Sequence, residues 1–245
     1  MELQSLNCML SEKSHSDVGQ TDEIQHFLQS AVHDLRAAQR RTGIAAELLL
    51  QSSSDRERAE LTAQMLQGLS QTEQLLLGIS RYTNVLAPAR YSISVFPSAS
   101  AVRFALANLD REIRQTGATI TVGDLPELTG DRDRLTELFE HLIANSLKFH
   151  GTDLPTIEIQ ARPVPEGWLF SLKDNGLGIP KKYRDRLFTA FRRLQGADIP
   201  GVGLGLAISK KIVEAHGGRI WIEDQSSPGV TFCFILPAAD GNERA

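Results

Sequence analysis

Glycines alternate with other residues in two short segments, and an aspartate opens the first of them. The residues are Asp174, Gly176 and Gly178 in the first segment, and Gly201, Gly203 and Gly205, followed by Leu206, in the second. An aspartate at a strand end can accept a hydrogen bond from an exocyclic amine, while nearby glycines let the backbone approach a flat ring or a phosphate. Glycines that open a helix expose amides and a positive dipole end to an anion. Either segment alone is a weak signal, because ordinary turns and dinucleotide-binding loops share it.

A third candidate group lies on a predicted helix. Asn145 and Lys148 are three residues apart there and share one helix face. An amide oxygen can ligate Mg²⁺, which prefers hard oxygen ligands, and a lysine can contact a phosphate. The competing interpretation is a solvated polar face, which is the usual role of such a pair.

A histidine with an acidic neighbour, His33-Asp34, lies on the first long helix of the chain. The apolar stripe of that helix uses Ala31 and Leu35, so His33 is predicted to project away from it. An exposed imidazole nitrogen can attack a phosphate, and Asp34 can orient the ring or take its proton. A single surface histidine usually has no such role, so this interpretation depends on the rest of the chain.

The composition excludes several classes of protein. Of the 245 residues, 41% are hydrophobic and 23% are charged, and the net charge is −4, so we expect no binding to nucleic acid. The sequence contains no apolar run near the roughly 20 residues of a membrane span, and its N-terminus is too polar for a signal peptide. Cys8 and Cys233 lack metal-ligand or redox spacing, and Cys233 is predicted to be a core thiol. These features predict a protein of the reducing cytoplasm.

Apolar residues at alternating spacings of four and three predict two long helices within residues 22–89, after an irregular polar tail at 1–21. The first stripe is Ile24, Leu28, Ala31, Leu35, Ala38, Thr42, Ala45 and Leu49, and the second is Leu61, Met65, Gly68, Thr72, Leu75, Ile79, Tyr82 and Leu86. Residues 52–55 break the pattern and can cap the second helix, which Pro88 ends. Because each stripe is too long for one partner helix, we expect the hairpin to form a homodimeric four-helix bundle.

The remainder, residues 90–240, alternates between strand and helix patterns. Strands are predicted over 91–96, 118–122, 156–161, 168–173, 219–223 and 229–236, and helices over 98–117, 131–149 and 203–216. These elements predict an α/β sandwich, with a mixed sheet and helices on one face. The predicted fold class is therefore α+β, with a helical hairpin followed by this sandwich.

The order and spacing of the motifs are more specific than any one of them. Asn145, the Asp174 segment, Phe188 with Phe191, and the glycines at 201–205 together resemble the ATP-binding domain shared by histidine kinases, gyrase, Hsp90 and MutL. The resemblance covers residues 91–237. It implies that Asn145 holds Mg²⁺, that Asp174 reads the adenine amine and that Lys148 contacts phosphate. It also implies that the glycines shape the pocket with Leu206, and that Thr231 supports the aspartate through water.

Other residues resemble the histidine-kinase branch in particular. Phe188 and Phe191 look like the kinase lid anchor, Arg193 occupies a position that can stabilise the transferred phosphate, and 217–221 read Gly-Gly-Arg-Ile-Trp. With the hairpin and His33-Asp34, the chain resembles a sensor histidine kinase core, closest to the phytochrome-associated group. The resemblance implies ATP-dependent phosphorylation of His33, followed by transfer to an aspartate of a response regulator receiver domain.

The sequence departs from the family at three positions. His141 stands where histidine kinases have asparagine and where the related ATPases have a glutamate base. Ala38 replaces the usual proline, and Ala37 replaces a Thr or Asn that positions water, so we expect weak or absent phosphatase activity toward a phosphorylated regulator. Two alternatives therefore stay open. One is a non-catalytic phosphotransfer or scaffold protein with a degenerate ATP domain, and the other is a gyrase- or Hsp90-type ATPase.

Overall fold

The computed structural model describes residues 2–87, 91–184, 186–192, 201–223 and 228–238. The chain divides into two compact units, Met1–Ile79 and Ser80–Ala245. The sequence predicted this boundary at 89/90. The structural division lies earlier, so it groups the last turns of the second long helix with the second unit.

Two long helices form the first unit. Helix α1 spans Glu2–Gln51 and α2 spans Asp55–Val85, with the intervening break at residues 52–54 as the sequence predicts. The Ser52 hydroxyl donates to the Glu57 carboxylate at 2.8 Å and joins the two sides of this turn. The sequence predicted an irregular tail at residues 1–21, but in the structure α1 already begins at Glu2. Residues 2–18 contain neither glycine nor proline, so nothing in them interrupts a helix.

Small side chains form the contact between α1 and α2. Ala31, Ala38 and Ala45 of the predicted stripe are buried, as expected. A Cβ at Gly68 of α2 would lie 2.2 Å from the Thr42 hydroxyl, so this glycine allows the close approach of the two helices. At the start of the stripe, Ile24 and Leu28 are 43% and 53% exposed in the single chain, whereas Phe27 is buried, so their burial against a second copy of the hairpin stays a prediction.

The second unit contains a five-stranded mixed sheet in the order β2-β4-β5-β7-β6. Its strands are β2 (Thr119–Val122), β4 (Thr156–Val164), β5 (Gly167–Asp174), β6 (Arg219–Ile222) and β7 (Thr231–Leu236). Strands β2 and β4 are parallel, whereas every other neighbouring pair is antiparallel. A separate antiparallel pair joins β1 (Ile93–Pro97) to β3 (Glu127–Asp131). The predicted mixed sheet is confirmed, but β3 was not predicted.

After the hairpin, the described residues form five further helices: α3 (Ser98–Asn108), α4 (Asp110–Thr116), α5 (Arg132–Lys148), α6 (Lys181–Arg184) and α7 (Gly205–Ala215). The single helix predicted over 98–117 is broken at Leu109, and the short α6 was not predicted. Phe139 of α5 packs edge-to-face on Phe170 of β5 and Phe234 of β7, with ring centroids 6.1 and 5.8 Å away. This aromatic cluster fixes α5 against the sheet.

The start of α5 is joined to the end of α7. Asp131 caps α5 as predicted: its Oδ1 accepts from the amides of Asp133 and Arg134, both at 3.0 Å. The amide of Asp131 donates to His216 Nε2 at 3.0 Å, and His216 Nδ1 lies 2.7 Å from the Ile212 carbonyl. His216 therefore holds one end of the α5–α7 pair together.

Candidate nucleotide-binding site

Asp174, the last residue of β5, has a buried carboxylate that accepts several hydrogen bonds. Its Oδ1 accepts from the amides of Gly176 and Val230, both at 2.9 Å. Its own amide donates to the Val230 carbonyl at 2.8 Å. The carboxylate is thus fixed between the turn that follows β5 and the residue that precedes β7.

Ser146 supplies a third donor to this carboxylate, and the sequence analysis missed it. The Ser146 hydroxyl lies 2.8 Å from Asp174 Oδ2, and both side chains are buried. One signal for it was available, because Ser146 interrupts the apolar stripe of α5 between Ile143 and Leu147, where a buried hydroxyl needs a partner. A carboxylate has about four acceptor positions, so one on Oδ2 remains for a donor from a ligand.

The turn after Asp174 requires glycine at both predicted positions. A Cβ at Gly176 would lie 2.6 Å from the Phe149 carbonyl oxygen, which also accepts from the Leu177 amide at 2.9 Å. Gly178 has a φ of +75°, in the left-handed region that glycine favours. The turn is therefore held directly against the end of α5.

The second glycine segment leads into α7. Gly201 and Gly203 have φ values of +141° and +72°, and α7 begins at Gly205 rather than at the predicted 203. The Gly203 carbonyl accepts from the amide of Phe191 at 2.9 Å, which ties the segment to the end of the phenylalanine motif. No side chain of the described residues caps this helix start, which leaves its amides to face an anion.

The predicted phosphate-binding residues are brought together at the end of α5. A Cβ at Gly201 would lie 2.5 Å from Lys148 Nζ, so the second glycine segment passes directly beside this lysine. Asn145 is half-buried one turn earlier on the same helix. Leu206 lies in the first turn of α7 and is also half-buried.

The remaining predicted residues are partly accounted for. Thr231 is buried at the start of β7, beside Val230, whose amide binds Asp174. Phe188 is half-buried, and Phe191 has a positive φ of 62°. Arg193 lies outside the described residues. The water-mediated role of Thr231 remains a prediction.

A chain of charged and polar side chains runs along α5 toward Asn145. Arg134 lies 3.1 Å from Glu137, and Glu137 lies 3.8 Å from Nε2 of His141. Burial by itself would raise the Glu137 pKa, but the His141 and Arg134 contacts outweigh it and hold that pKa below its ordinary value. His141 Nε2 is buried and, within the described ranges, has no hydrogen-bond partner, because 3.8 Å is too long for one.

His33 lies in the other unit, on α1, and has the setting predicted for it. Its side chain is 81% exposed, and Nδ1 lies 2.9 Å from the Asp34 carboxylate. The imidazole is thus exposed to solvent and in contact with its acidic neighbour through Nδ1.

The described part of the chain lacks two kinds of feature. None of its helices is long and apolar enough to cross a membrane. Nor does it contain a cluster of three or more His, Cys, Asp or Glu side chains that could hold a metal by themselves. A metal in the nucleotide site would therefore need amide or phosphate oxygens among its ligands.

Comparisons with known proteins agree with this geometry. Residues 130–240 match the family described as histidine kinase-, DNA gyrase B- and HSP90-like ATPases. Cyanobacterial phytochrome A of Nostoc sp. is 36% identical over 96% of this chain and 31% of its own length. Phytochrome-like protein Cph1 of Synechocystis sp. is 34% identical over 92% of this chain and 30% of its own length. The chain thus spans about a third of the length of these relatives.

A solved structure shows the same fold over most of the chain. It is the histidine kinase ThkA in complex with the response regulator protein TrrA, with a TM-score of 0.75 and 19% identity over 93% of this chain and 66% of that one. The predicted resemblance is confirmed: residues 130–240 match the histidine kinase-, DNA gyrase B- and HSP90-like ATPase family, and most of the chain has the fold of a solved histidine kinase.

Proposed function

We propose that this chain is the catalytic core of a two-component histidine kinase, which transfers the γ-phosphoryl group of ATP to His33 and then to an aspartate of a response regulator. The observation that carries the proposal is the buried Asp174 carboxylate, with one acceptor position left, beside glycine segments that lead to Lys148. The exposed His33–Asp34 pair in the same chain supplies a phosphoacceptor.

Asp174 would bind the adenine. Its remaining acceptor position on Oδ2 suits the exocyclic amine, whereas a 6-oxo purine would place an oxygen against the carboxylate. Gly176 would keep the turn closed against the Phe149 carbonyl, because a Cβ there would meet that oxygen, and its amide would hold Asp174 Oδ1 in place. Thr231 would add a water-mediated contact at the same end of the pocket.

The triphosphate would extend from the adenine pocket toward α7. The amides at the start of α7 and the Lys148 ammonium would bind its oxygens. Gly201, Gly203 and Gly205 would keep this surface free of side chains. Asn145 would hold the metal ion of the nucleotide through its amide oxygen, which is the ligand type that Mg²⁺ prefers. When bound, the ion neutralises charge on the phosphates.

The reaction at His33 follows from its contact with Asp34. The carboxylate holds the Nδ1 proton, so the lone pair of Nε2 is available for attack. Nε2 forms a bond to the γ-phosphorus while the bond from that phosphorus to the ADP oxygen breaks, and ADP leaves. The Nδ1 proton is shared with or passed to Asp34. Arg193 would stabilise charge on the transferred group.

The first unit would assemble as a homodimer. Large apolar side chains remain exposed on both helices, including Val32, Ile44 and Leu48 on α1 and Leu66, Leu69, Leu76 and Leu77 on α2. A second copy of the hairpin would cover them in a four-helix bundle. The solved ThkA complex contains a response regulator, TrrA, which supports a receiver domain as the partner here. We also propose a cytoplasmic location, which the use of ATP and of a response regulator would support.

One labelling experiment tests the proposal. Wild-type protein, His33→Gln and Asn145→Ala are incubated with γ-labelled ATP and Mg²⁺, and acid-labile label on the protein is measured. We expect label on wild type and on His26→Gln, which removes an exposed histidine elsewhere on α1, but none on the other two variants. Label retained in His33→Gln contradicts the assignment of the phosphoacceptor.

The two alternatives give different outcomes in the same experiment. A scaffold protein would bind nucleotide without becoming labelled, and a gyrase-type ATPase would release phosphate steadily and independently of His33. Ala37 and Ala38 predict little phosphatase activity, so a phosphorylated regulator should keep its label in the presence of this chain. Fast loss of that label, dependent on the chain, contradicts this prediction.

A further inference from the structure

We propose that His141 joins Asn145 in holding the divalent cation of the bound nucleotide, and that this nitrogen–oxygen pair makes the site favour Mn²⁺ over Mg²⁺. The proposal rests on the nucleotide-binding function proposed above. It assigns a role to a side chain whose buried Nε2 has no hydrogen-bond partner among the described residues.

His141 and Asn145 are spaced to bind one ion. They are four residues apart on α5, so both side chains lie on the same face of the helix, one turn from each other. Pairs with this spacing on a helix hold metal ions in other proteins. The imidazole also faces the phosphate-binding segment, because a Cβ at Gly205 would lie 3.3 Å from His141 Nδ1. Nδ1 is therefore the ring nitrogen on the side of the nucleotide.

The other ring nitrogen has the environment of a metal ligand. Nε2 is sealed from solvent and lacks a hydrogen-bond partner in the described structure, yet the Glu137 carboxylate lies 3.8 Å away. A histidine that ligates a metal through one nitrogen commonly donates its other N–H to a carboxylate, which fixes the tautomer. Arg134, 3.1 Å from Glu137, holds that carboxylate in place. A small movement of Glu137 would complete the hydrogen bond.

The donor set determines which metal fits. Mg²⁺ strongly prefers oxygen ligands in octahedral geometry, and asparagine with phosphates supplies only oxygens. Mn²⁺ shares the oxygen chemistry but is a softer ion than Mg²⁺, so it accepts an imidazole nitrogen among its ligands more readily. A histidine beside Asn145 therefore shifts the preference toward Mn²⁺.

Electron spin-echo spectroscopy tests the ligand directly. Mn²⁺ is bound with a non-hydrolysable ATP analogue to full-length His33→Gln, which cannot become phosphorylated at His33. We expect a ¹⁴N modulation typical of a coordinated imidazole. The modulation should vanish when His141→Asn or His141→Gln is combined with His33→Gln. It should persist when the control His150→Asn is combined with His33→Gln instead, since that change removes a half-buried histidine just beyond the same helix. Absence of the imidazole signal, or its persistence in both His141 variants, overturns the proposal.

Nucleotide affinity gives a second readout. The dissociation constant of a fluorescent ATP analogue is measured with each metal, and we expect the Mn²⁺-to-Mg²⁺ preference to fall about tenfold in His141→Asn. Glu137→Gln should weaken Mn²⁺-dependent binding about tenfold, as loss of an outer carboxylate partner does. An unchanged preference in His141→Asn contradicts the inference. If the wild-type protein binds no nucleotide with either metal, the proposed function itself is rejected.

Discussion

Removing the Ser146 hydroxyl should destabilise the nucleotide pocket, although Ser146 is not one of the residues proposed to contact the nucleotide. In Ser146→Ala, Asp174 Oδ2 loses its 2.8 Å donor and keeps no other partner among the described residues, while Oδ1 retains both of its amides. A hydrogen bond to a charged group contributes about 1.5–3 kcal/mol, and a buried acceptor left without a partner costs about as much. We therefore expect the free energy of unfolding of the second unit to fall by about 1.5–3 kcal/mol.

The same change should weaken adenine binding. If the carboxylate no longer keeps its orientation, part of that free energy is lost from binding, and about 1.4 kcal/mol corresponds to a tenfold change in affinity. We expect ATP to bind roughly tenfold more weakly to Ser146→Ala. The preference for ATP over ITP should also fall, because Asp174 is then less firmly fixed as an acceptor.

Urea denaturation and nucleotide titration measure the two effects. Ser209→Ala is the matched control, because Ser209 is also a buried helical serine but donates only to the Gly205 carbonyl at 2.9 Å. That variant should change unfolding by less than about 1 kcal/mol, since only a bond within the helix is lost. If Ser146→Ala behaves like Ser209→Ala in both assays, the bond to Asp174 does not have the role assigned to it.

Three other predictions follow from single contacts. Gly176→Ala should destabilise the second unit by about 1–3 kcal/mol in urea, because its Cβ would meet the Phe149 carbonyl, whereas Gly43→Ala, with nothing within 4 Å, should stabilise its helix. Gly68→Val should separate α1 from α2 and lower the dimer content seen by light scattering, and unchanged dimer content would count against this. Burial, with the Glu223 carboxylate, raises the Cys233 pKa to about 12, so a thiol reagent at pH 8 should modify Cys233 in Cys8→Ser only after unfolding. The raised pKa also makes the free energy of unfolding depend on pH. The unfolded thiol ionises near pH 9, so the stabilisation from the neutral, buried Cys233 should be present below pH 9 and be lost as the pH rises toward 12.

Local sequence patterns predicted most elements of the fold. The helix pattern and the break at residues 52–54 gave the hairpin, and Asp131 was identified correctly as a cap. Strand β3 was missed because its pairing with β1 is a long-range contact that no local pattern shows. Periodicity gives a face of the helix but not the position of the partner helix, so the burial of Ile24 and Leu28 against a second copy stays a prediction.

The candidate site was predicted where side-chain type and spacing carry the chemistry. In the structure Asp174 contacts Gly176 of the first glycine segment and Lys148 lies beside Gly201 of the second, while their roles in binding stay predictions. Ser146 was missed because its importance depends on a contact across 28 positions of the chain, which its neighbours in sequence do not reveal. The sealed Nε2 of His141 is likewise a property of packing, since the sequence shows only that the residue is unusual.

The hydrogen bond between the Asp131 amide and His216 has a mechanical consequence. Helices α5 and α7 are antiparallel: the bond joins the first turn of α5 to the end of α7, while Lys148 and Gly201 meet at the opposite end. If this hydrogen bond stays intact, the two helices can separate only by rotating about it, and the displacement is then greatest at their other ends. Any opening between these helices would therefore be largest beside Lys148 and smallest beside Asp131 and His216.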